Sequence, residues 1–140
     1  MTVFVDSNIF ILANIEEYPE HEIAVKTIES LIKKEKILIN SIIVSEIFHK
    51  LFRLTNLSEA RSRTLKILNS EHVIFIPIEK ETIIRAINLS WRYKIRINDA
   101  IIAQHTIDSK AKRILTDNVK DFRKIQGLNI IPFKRCNWKG

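Results

Sequence analysis

The sequence is poor in the residues that several common kinds of site require. Only two glycines occur among the 140 residues, Gly127 and Gly140. Phosphate-binding loops of the P-loop and GxGxxG types need several glycines close together, so both are excluded. The one cysteine, Cys136, has no partner for a disulfide within the chain. No Cys/His cluster indicates a zinc site either.

Long apolar runs are also missing, although apolar residues make up 46% of the chain. No run approaches the roughly 18 residues of a membrane-spanning helix. The N-terminus lacks the basic segment and long apolar stretch of a secretion signal. With 28% charged residues, the composition is that of an ordinary globular protein. We therefore expect a single domain over residues 1–140, located in the cytoplasm and without a membrane partner.

The charge of the chain is strongly positive. Lys and Arg number 23 against 16 Asp and Glu, which gives a formal net charge of +7. Such a balance favours a polyanionic partner, most simply nucleic acid, although solubility alone also explains it. The basic residues cluster at three places: Arg92, Lys94 and Arg96; Lys110, Lys112 and Arg113; Lys120, Arg123 and Lys124.

Short β-branched segments alternate with helical patterns along the chain. We predict strands at residues 2–6, 36–40, 72–77, 113–117 and 128–133. Their nearly continuous apolar character is typical of strands buried on both faces of a parallel sheet, with Pro132 indicating an edge. Helices are predicted at 22–35, 41–54, 58–69, 79–94 and 98–110, the second capped by Asn40 or Ser41 and the third by Ser58. This alternation predicts an α/β fold with right-handed crossovers.

Acidic residues fall where the predicted strands end or the following helices begin. In an open parallel sheet, ligands bind outside the carboxyl ends of the strands, so these acids are expected to meet at one end of the sheet. They come from segments far apart in sequence: Asp6, Glu46, Asp99, Asp117 and Asp121.

Each acid also has an ordinary alternative role. Asp6 suits the cap of a helix beginning near Asn8. Glu46 has Lys50 at the i,i+4 position for a surface ion pair. Asp99 suits the first turn of a helix, where the helix dipole favours a negative charge and Asn98 would be the cap. Asp117 and Asp121 fall in a predicted loop, where aspartate is common.

The combination of acids points to a metal ion. Carboxylates a few Å apart repel by on the order of a few kcal/mol per pair at an effective dielectric near 20. A fold keeps them together only when a cation or protons neutralise them. Oxygen ligands without Cys or His select Mg²⁺, with Mn²⁺ as a substitute. Next to a basic surface, such an ion favours hydrolysis of a phosphodiester. The histidines are expected to be structural or surface residues: His21, His49, His72 and His105.

Four segments resemble, in order, the four motifs of PIN-domain proteins: "VFVDSNIFI", "SIIVSEIFHKL", "INDAIIAQHTI" and "ILTDNVKDF". The length is similar to that of VapC-type toxins of type II toxin–antitoxin systems. The resemblance implies a single-domain, three-layer α/β/α fold with a five-stranded parallel sheet. It also implies a Mg²⁺-dependent endoribonuclease that hydrolyses RNA phosphodiester bonds by means of a carboxylate-held ion and a water activated by it. Its partners would be RNA, a cognate antitoxin and a second copy of the chain.

The resemblance also assigns roles to individual residues. By position in the motifs, Asp6 and Asp99 would be the principal metal ligands and Glu46 the third acid. Asp117 would be the fourth, with Asn118 and Asp121 as the alternatives that the spacing of "TDNVKDF" leaves open. Three polar neighbours would bind water or phosphate, or support the acids: Ser7, Asn8 and Thr116.

Other functional classes fit less well. A receiver-like phosphoacceptor domain would need adjacent acids after strand one and an aspartate after strand three, and the chain has neither. A non-catalytic module that binds RNA or an antitoxin stays open, as does a PIN-like nuclease of RNA processing outside a toxin–antitoxin pair. A flap-type DNA nuclease ranks lower, because no insertion is long enough to form a threading arch. Apolar residues on the helices at 41–54 and 58–69 suggest a dimer surface: Phe48, Leu51, Phe52, Leu54 and Leu57.

Overall fold

The structure is a computed structural model that describes residues 1–133. The C-terminal "KRCNWKG" segment, which includes Cys136, lies outside the described residues. The elements follow in the order β1 (Thr2–Val5), α1 (Ser7–Asn14), α2 (His21–Ile32), β2 (Lys36–Ile39), α3 (Ser41–Leu54), α4 (Leu57–Leu68), β3 (Val73–Phe75), α5 (Lys80–Tyr93), α6 (Ile97–Asp108), β4 (Arg113–Thr116), α7 (Val119–Phe122) and β5 (Asn129–Pro132). Among residues 1–133, no helix is both long enough and apolar enough to cross a bilayer.

The strands form one five-stranded sheet in the order β3-β2-β1-β4-β5. Every neighbouring pair is parallel, so the predicted five-stranded parallel α/β fold is confirmed. The chain proceeds outward from β1 to β3 and then returns to the other side of β1. Right-handed crossovers therefore place the helices before β3 and those after it on opposite faces. The strand order reverses between β1 and β4, which is where open α/β sheets bind ligands.

The central strands make up the core of the sheet. β1 and β2 are almost completely buried, and so is most of β4. The prediction that all strands are buried on both faces is wrong for β3, whose Ile74 and Phe75 are exposed, and for β5, which has no fully buried residue. Each of these strands has a neighbour on one side only, and edge strands are covered less completely. The edge position predicted from Pro132 is confirmed, because β5 is the other outer strand.

Periodicity predicts neither of two helices, although the alternative role of Asp6, as the cap of a helix beginning near Asn8, is confirmed for the first of them. α1 has the sequence SNIFILAN and is buried at Ile9, Phe10, Ile11 and Leu12. An apolar run without polar spacing has no helical period, so periodicity does not identify it as a helix. α7 is a four-residue helix within the segment predicted to be a loop. Asp121 therefore lies on a helix, which determines the direction of its side chain.

The helix caps agree with the prediction in one case and differ in another. Asn40 caps α3, because its side chain accepts a hydrogen bond from the backbone N–H of Ile43 at 3.0 Å. The cap of α4 was predicted to be Ser58, and this is wrong. α4 begins earlier, and the side chain of Asn56 accepts from the N–H of Glu59 at 2.9 Å.

His105 connects the helices that carry two of the acids. It is buried on α6, and its Nδ1 lies 2.9 Å from Nδ2 of Asn40, the residue that caps α3. The carbonyl of Pro77 accepts a hydrogen bond from the ring, and burial lowers the pKa of His105. The imidazole is therefore neutral, with Nδ1 as the acceptor from Asn40 and the proton on Nε2. The structural role expected for His105 is confirmed.

We predict that His105→Leu destabilises the protein by about 1–3 kcal/mol, because the buried amide of Asn40 loses its acceptor. Urea denaturation at pH 7 measures the free energy of unfolding. His49→Leu, at an exposed position on α3, is the matched control and is expected to change that value by less than about 0.5 kcal/mol. Equal stability of the His105 variant and the wild type would contradict this role.

Candidate active site

Asp6 is at the centre of the site, directly after β1. The residue is 4% exposed, and its carboxyl group accepts three hydrogen bonds. The backbone N–H of Ser7 donates to Oδ1 at 2.8 Å, and the hydroxyl of Thr116 donates to Oδ2 at 2.7 Å. The amide of Asn8 also donates to Oδ2, at 3.4 Å. Asp6 is thus the cap of α1, and it also joins the carboxyl ends of β1 and β4.

Asp6 is an unusual cap because its charge is poorly solvated. Burial is the largest cause of a pKa raised from 3.8 to about 6. The hydrogen bond from Thr116 opposes this shift, while the negative charges of Glu46 and Asp99 add to it. Since charges act on a buried group at short range, Glu46 and Asp99 lie close to Asp6. The structure therefore brings together acids that follow three different strands.

Glu46 lies on α3 and faces the first motif. The hydroxyl of Ser7 donates a hydrogen bond to its Oε1 at 2.9 Å. This contact joins the start of α1 to the second turn of α3. Glu46 therefore points into the site. The positive charge of Lys50, one turn later on α3, acts on Asp99.

Asp99 lies in the first turn of α6 and is 8% exposed. The N-cap position of this helix is Arg96, which makes no side-chain cap hydrogen bond, so the alternative with Asn98 as cap is wrong. Burial is the largest cause of the raised pKa of Asp99; the charge of Arg96 opposes the shift, and those of Glu46 and Asp121 add to it. The carboxylate lies inside the apolar stripe of α6 because that end of the helix faces the other acids.

Two aspartates follow β4 and compete for the fourth acidic position. The backbone N–H of Asp117 donates to Oδ1 of Asn8 at 3.4 Å, which places this residue beside the first motif. Asp121 lies one helical turn later on α7, close enough to raise the pKa of Asp99. Between them, the N–H of Asn118 donates to the hydroxyl of Thr116 at 2.9 Å. The choice of Asp117 stays a prediction, and the geometry gives Asp121 equal standing.

The donor set suits a hard divalent ion that retains most of its waters. Within residues 1–133, no three His, Cys, Asp or Glu side chains form a set that would hold a metal ion on its own. Mg²⁺ commonly uses only one or two protein carboxylates and keeps several waters, so a complete protein ligand set is not required. The oxygen donors and the mutually repelling charges around Asp6 fit such an ion, with the other acids acting through water.

This fold and these four motif positions define a class of protein. The PIN domain family model matches residues 3–128, so the chain belongs to the PIN domain family. No curated protein matches the sequence significantly.

Solved structures of toxin–antitoxin systems share the fold. A chain from the crystal structure of VapBC2 from Rickettsia felis, bound to a DNA fragment from their promoter, matches with a TM-score of 0.77 and 22% identity, over 96% of this chain and 100% of that one. VapC20 from Mycobacterium tuberculosis, a sarcin–ricin loop cleaving toxin, matches with a TM-score of 0.72 and 15% identity, over 80% and 86%. A chain of VapBC-1 from nontypeable Haemophilus influenzae matches with a TM-score of 0.71 and 21% identity, over 95% of this chain and 98% of that one.

We predict that Asp6→Asn stabilises the metal-free protein above pH 6. The folded-state pKa of Asp6, about 6, exceeds the ordinary value of 3.8, so the wild type loses stability as the pH rises between these values. Asparagine avoids this cost, which is on the order of 3 kcal/mol at most. The gain is expected at pH 8 and should disappear near pH 4.

Thermal unfolding in EDTA across this pH range measures the effect. Glu71→Gln, at an exposed position, is the control and is expected to follow the wild type at every pH. If Asp6→Asn is less stable than the wild type at pH 8, the prediction is wrong. The stabilisation of α1 by the capping carboxylate would then exceed the cost of burying its charge.

Proposed function

We propose that this protein is a metal-dependent endoribonuclease and the toxin of a toxin–antitoxin pair. The observation that supports this proposal best is that the negative charges of Glu46 and Asp99 act on the buried carboxyl group of Asp6, at the point where the strand order reverses. Membership of the PIN domain family adds to it. The net charge of +7 suits a polyanionic substrate.

Asp6 and Asp99 would be the principal ligands of Mg²⁺, or of Mn²⁺ as a substitute. Glu46 and either Asp117 or Asp121 would complete the site, directly or through water. When bound, the ion would polarise the phosphoryl oxygen and lower the pKa of the attacking water. RNA phosphodiester hydrolysis of this kind would leave a 5′-phosphate and a 3′-hydroxyl.

The remaining polar residues would keep the acids in place. The hydroxyl of Thr116 and the N–H of Ser7 hold the two oxygens of Asp6, which prevents its carboxylate from rotating. The hydroxyl of Ser7 orients Glu46 in the same way. Asn8 connects Asp6 to the backbone of Asp117. Fixed carboxylates reduce the reorganisation that binding an ion and a phosphate requires.

Basic residues next to the acids would bind the RNA backbone. The charges of Arg96 and Lys50 both reach Asp99, so cations from α3 and from the turn before α6 border the site. Each phosphate that they neutralise releases counterions, so binding should weaken as salt increases. Since the substrate would be cellular RNA, the site of action would be the cytoplasm.

We predict that Asp99→Asn and Asp6→Asn each lower cleavage of total RNA by about 100-fold or more, because the loss of a charged ligand removes several kcal/mol of metal-assisted stabilisation. Cleavage should require Mg²⁺ and stop in EDTA. Comparing Asp117→Asn with Asp121→Asn identifies the fourth acid: the variant with the larger loss carries that role. Circular dichroism checks that each variant is folded, and Asp108→Asn is the control outside the site. Wild-type cleavage by the Asp99 variant would contradict the assignment.

The alternative of a non-catalytic RNA-binding module predicts a different outcome. Binding of RNA would then survive EDTA, and no cleavage would occur with either metal ion. A PIN-like nuclease of RNA processing would cleave RNA as proposed here but would have no antitoxin. Co-purification with a protein expressed from the adjacent gene separates these two nuclease roles.

An antitoxin partner is supported by the solved structures that share this fold, of which several are VapBC complexes. We propose that the cognate antitoxin inserts an Arg or Lys side chain near Asp6 and Asp99, where its positive charge would replace that of the ion. The raised pKa of both carboxyl groups indicates that a cation is favourable there.

A homodimer would use the apolar face of α3 and α4. The predicted dimer surface is wrong for two residues, because Leu51 is buried in the core and Phe48 is partly buried against it. The others are exposed and are joined by Leu65, which gives the face Phe52, Leu54, Leu57 and Leu65. Phe52 and Leu65 line the same groove between α3 and α4, and exposed apolar residues that lie together are typical of a protein–protein interface.

We predict that Leu57→Glu converts the dimer into a monomer, because a charge in an apolar interface loses its solvation. Light scattering coupled to size-exclusion chromatography measures the mass. Ile84→Glu, on the exposed side of α5, is the matched control and should leave the dimer intact. If the control dissociates the dimer and Leu57→Glu does not, the interface lies on α5.

A further inference from the structure

An exposed tryptophan lies at the end of α5, close in sequence to the third acidic motif. Trp91 is 75% exposed, although tryptophan side chains are on average mostly buried. Lys94, one helical turn later, has its Nζ 3.7 Å from the centroid of the ring. An ammonium at this distance makes a favourable cation–π contact and leaves most of the indole open to solvent.

The turn that follows Trp91 is held in a defined shape. Lys94 ends α5 in the left-handed conformation, with φ of 57°. The hydroxyl of Ser90 donates to the carbonyl of Ile95 at 2.6 Å and joins the last turn of the helix to the chain after it. The indole and its ammonium therefore stand on a structured corner between α5 and α6.

This corner borders the proposed active site. Asp99 is five positions after Lys94, and a chain of that length spans at most about 17 Å. Arg96, between them, is close enough to lower the pKa of Asp99. A short single strand of RNA whose phosphate lies at Asp99 would therefore have neighbouring nucleotides at the corner.

We propose that Trp91 is a stacking platform for an unpaired base of the RNA substrate, next to the nucleotide whose phosphate is cleaved. This inference rests on the proposed function and specifies its substrate as single-stranded. Bases stack on exposed aromatic rings irrespective of sequence, and cations beside the ring hold the backbone. The cations at this corner are Arg92, Lys94 and Arg96, all exposed.

The charge at this corner favours RNA over a second copy of the chain. Ile84 and Ile87 continue the exposed apolar face of α5 away from the corner. At Trp91, however, another copy would bring its own positive net charge of +7 towards three cations. A polyanion complements the same surface, so the indole and its cations form one site for a nucleic acid.

The test measures binding of a fluorescein-labelled single-stranded RNA to the full-length Asp99→Asn protein in Mg²⁺. Adding Trp91→Ala is expected to weaken binding about 10-fold to 100-fold, while Trp91→Phe should keep most of the affinity. Lys94→Ala should lower the slope of log affinity against log salt by about one. Ile87→Ala, on the same helix, is the matched control and should bind as its parent does.

Tryptophan fluorescence provides a second readout. The other tryptophan, Trp138, is replaced by phenylalanine so that Trp91 is the only emitter. Base stacking should quench its emission with single-stranded RNA, whereas heparin, a polyanion without bases, should bind without quenching. A duplex RNA of the same sequence is expected to quench less.

The outcomes separate this inference from the proposed function. Mg²⁺-dependent cleavage with unchanged RNA affinity in the Trp91→Ala variant, and no quenching, would overturn the platform and leave the nuclease intact. A protein that binds and quenches with RNA but cleaves nothing would support the platform and contradict the nuclease. Loss of the dimer on Trp91→Ala, with RNA affinity unchanged, would assign the corner to a second copy and also overturn the proposal.

Discussion

The buried carboxylate of Asp6 is the constraint from which the site follows. It stands where β1 and β4 diverge, accepts hydrogen bonds from Ser7 and Thr116, and has the charges of Glu46 and Asp99 close by. Hydrogen bonds compensate only part of the cost of burying such a charge, so its pKa rises to about 6. The cation that we propose to bind there would turn this repulsion into ligation and so offset the cost of the arrangement.

The rest of the scaffold keeps the acid-bearing elements from moving apart. Asn40 and His105 join α3 to α6 through a buried hydrogen bond. At the other end of the sheet, the guanidinium of Arg113 makes two contacts with the carboxylate of Glu35, at 2.6 and 3.0 Å. This ion pair lowers the pKa of Glu35 and ties the turn before β2 to the start of β4. Bidentate, partly buried pairs of this kind hold geometry better than single surface contacts do.

Negative and positive charges lie on different parts of the molecule. Negative charge is concentrated around Asp6, between β1 and β4, whereas cations lie nearby at Lys50, Arg96 and the corner beside Trp91. A polyanion is therefore attracted to these cations and would reach the acidic centre once a divalent ion neutralises it. The exposed apolar residues of α3 and α4 belong to the dimer interface that we propose.

Local patterns in the sequence predicted the parallel α/β fold and the approximate ends of its strands, because short β-branched segments are recognisable without a structure. The four acidic motifs indicated the family for the same reason. Periodicity did not reveal α1, whose apolar residues have no helical period and which only its cap, Asp6, indicated, or α7, which is too short to have one. Asn56 as the cap of α4 and Leu51 as a core residue also depended on packing. Only the tertiary structure decided that Ser7 donates to Glu46, that Asn40 meets His105 and that the charge of Asp121 acts on Asp99. Those contacts join residues far apart in the chain, and their geometry depends on how the helices pack across the sheet.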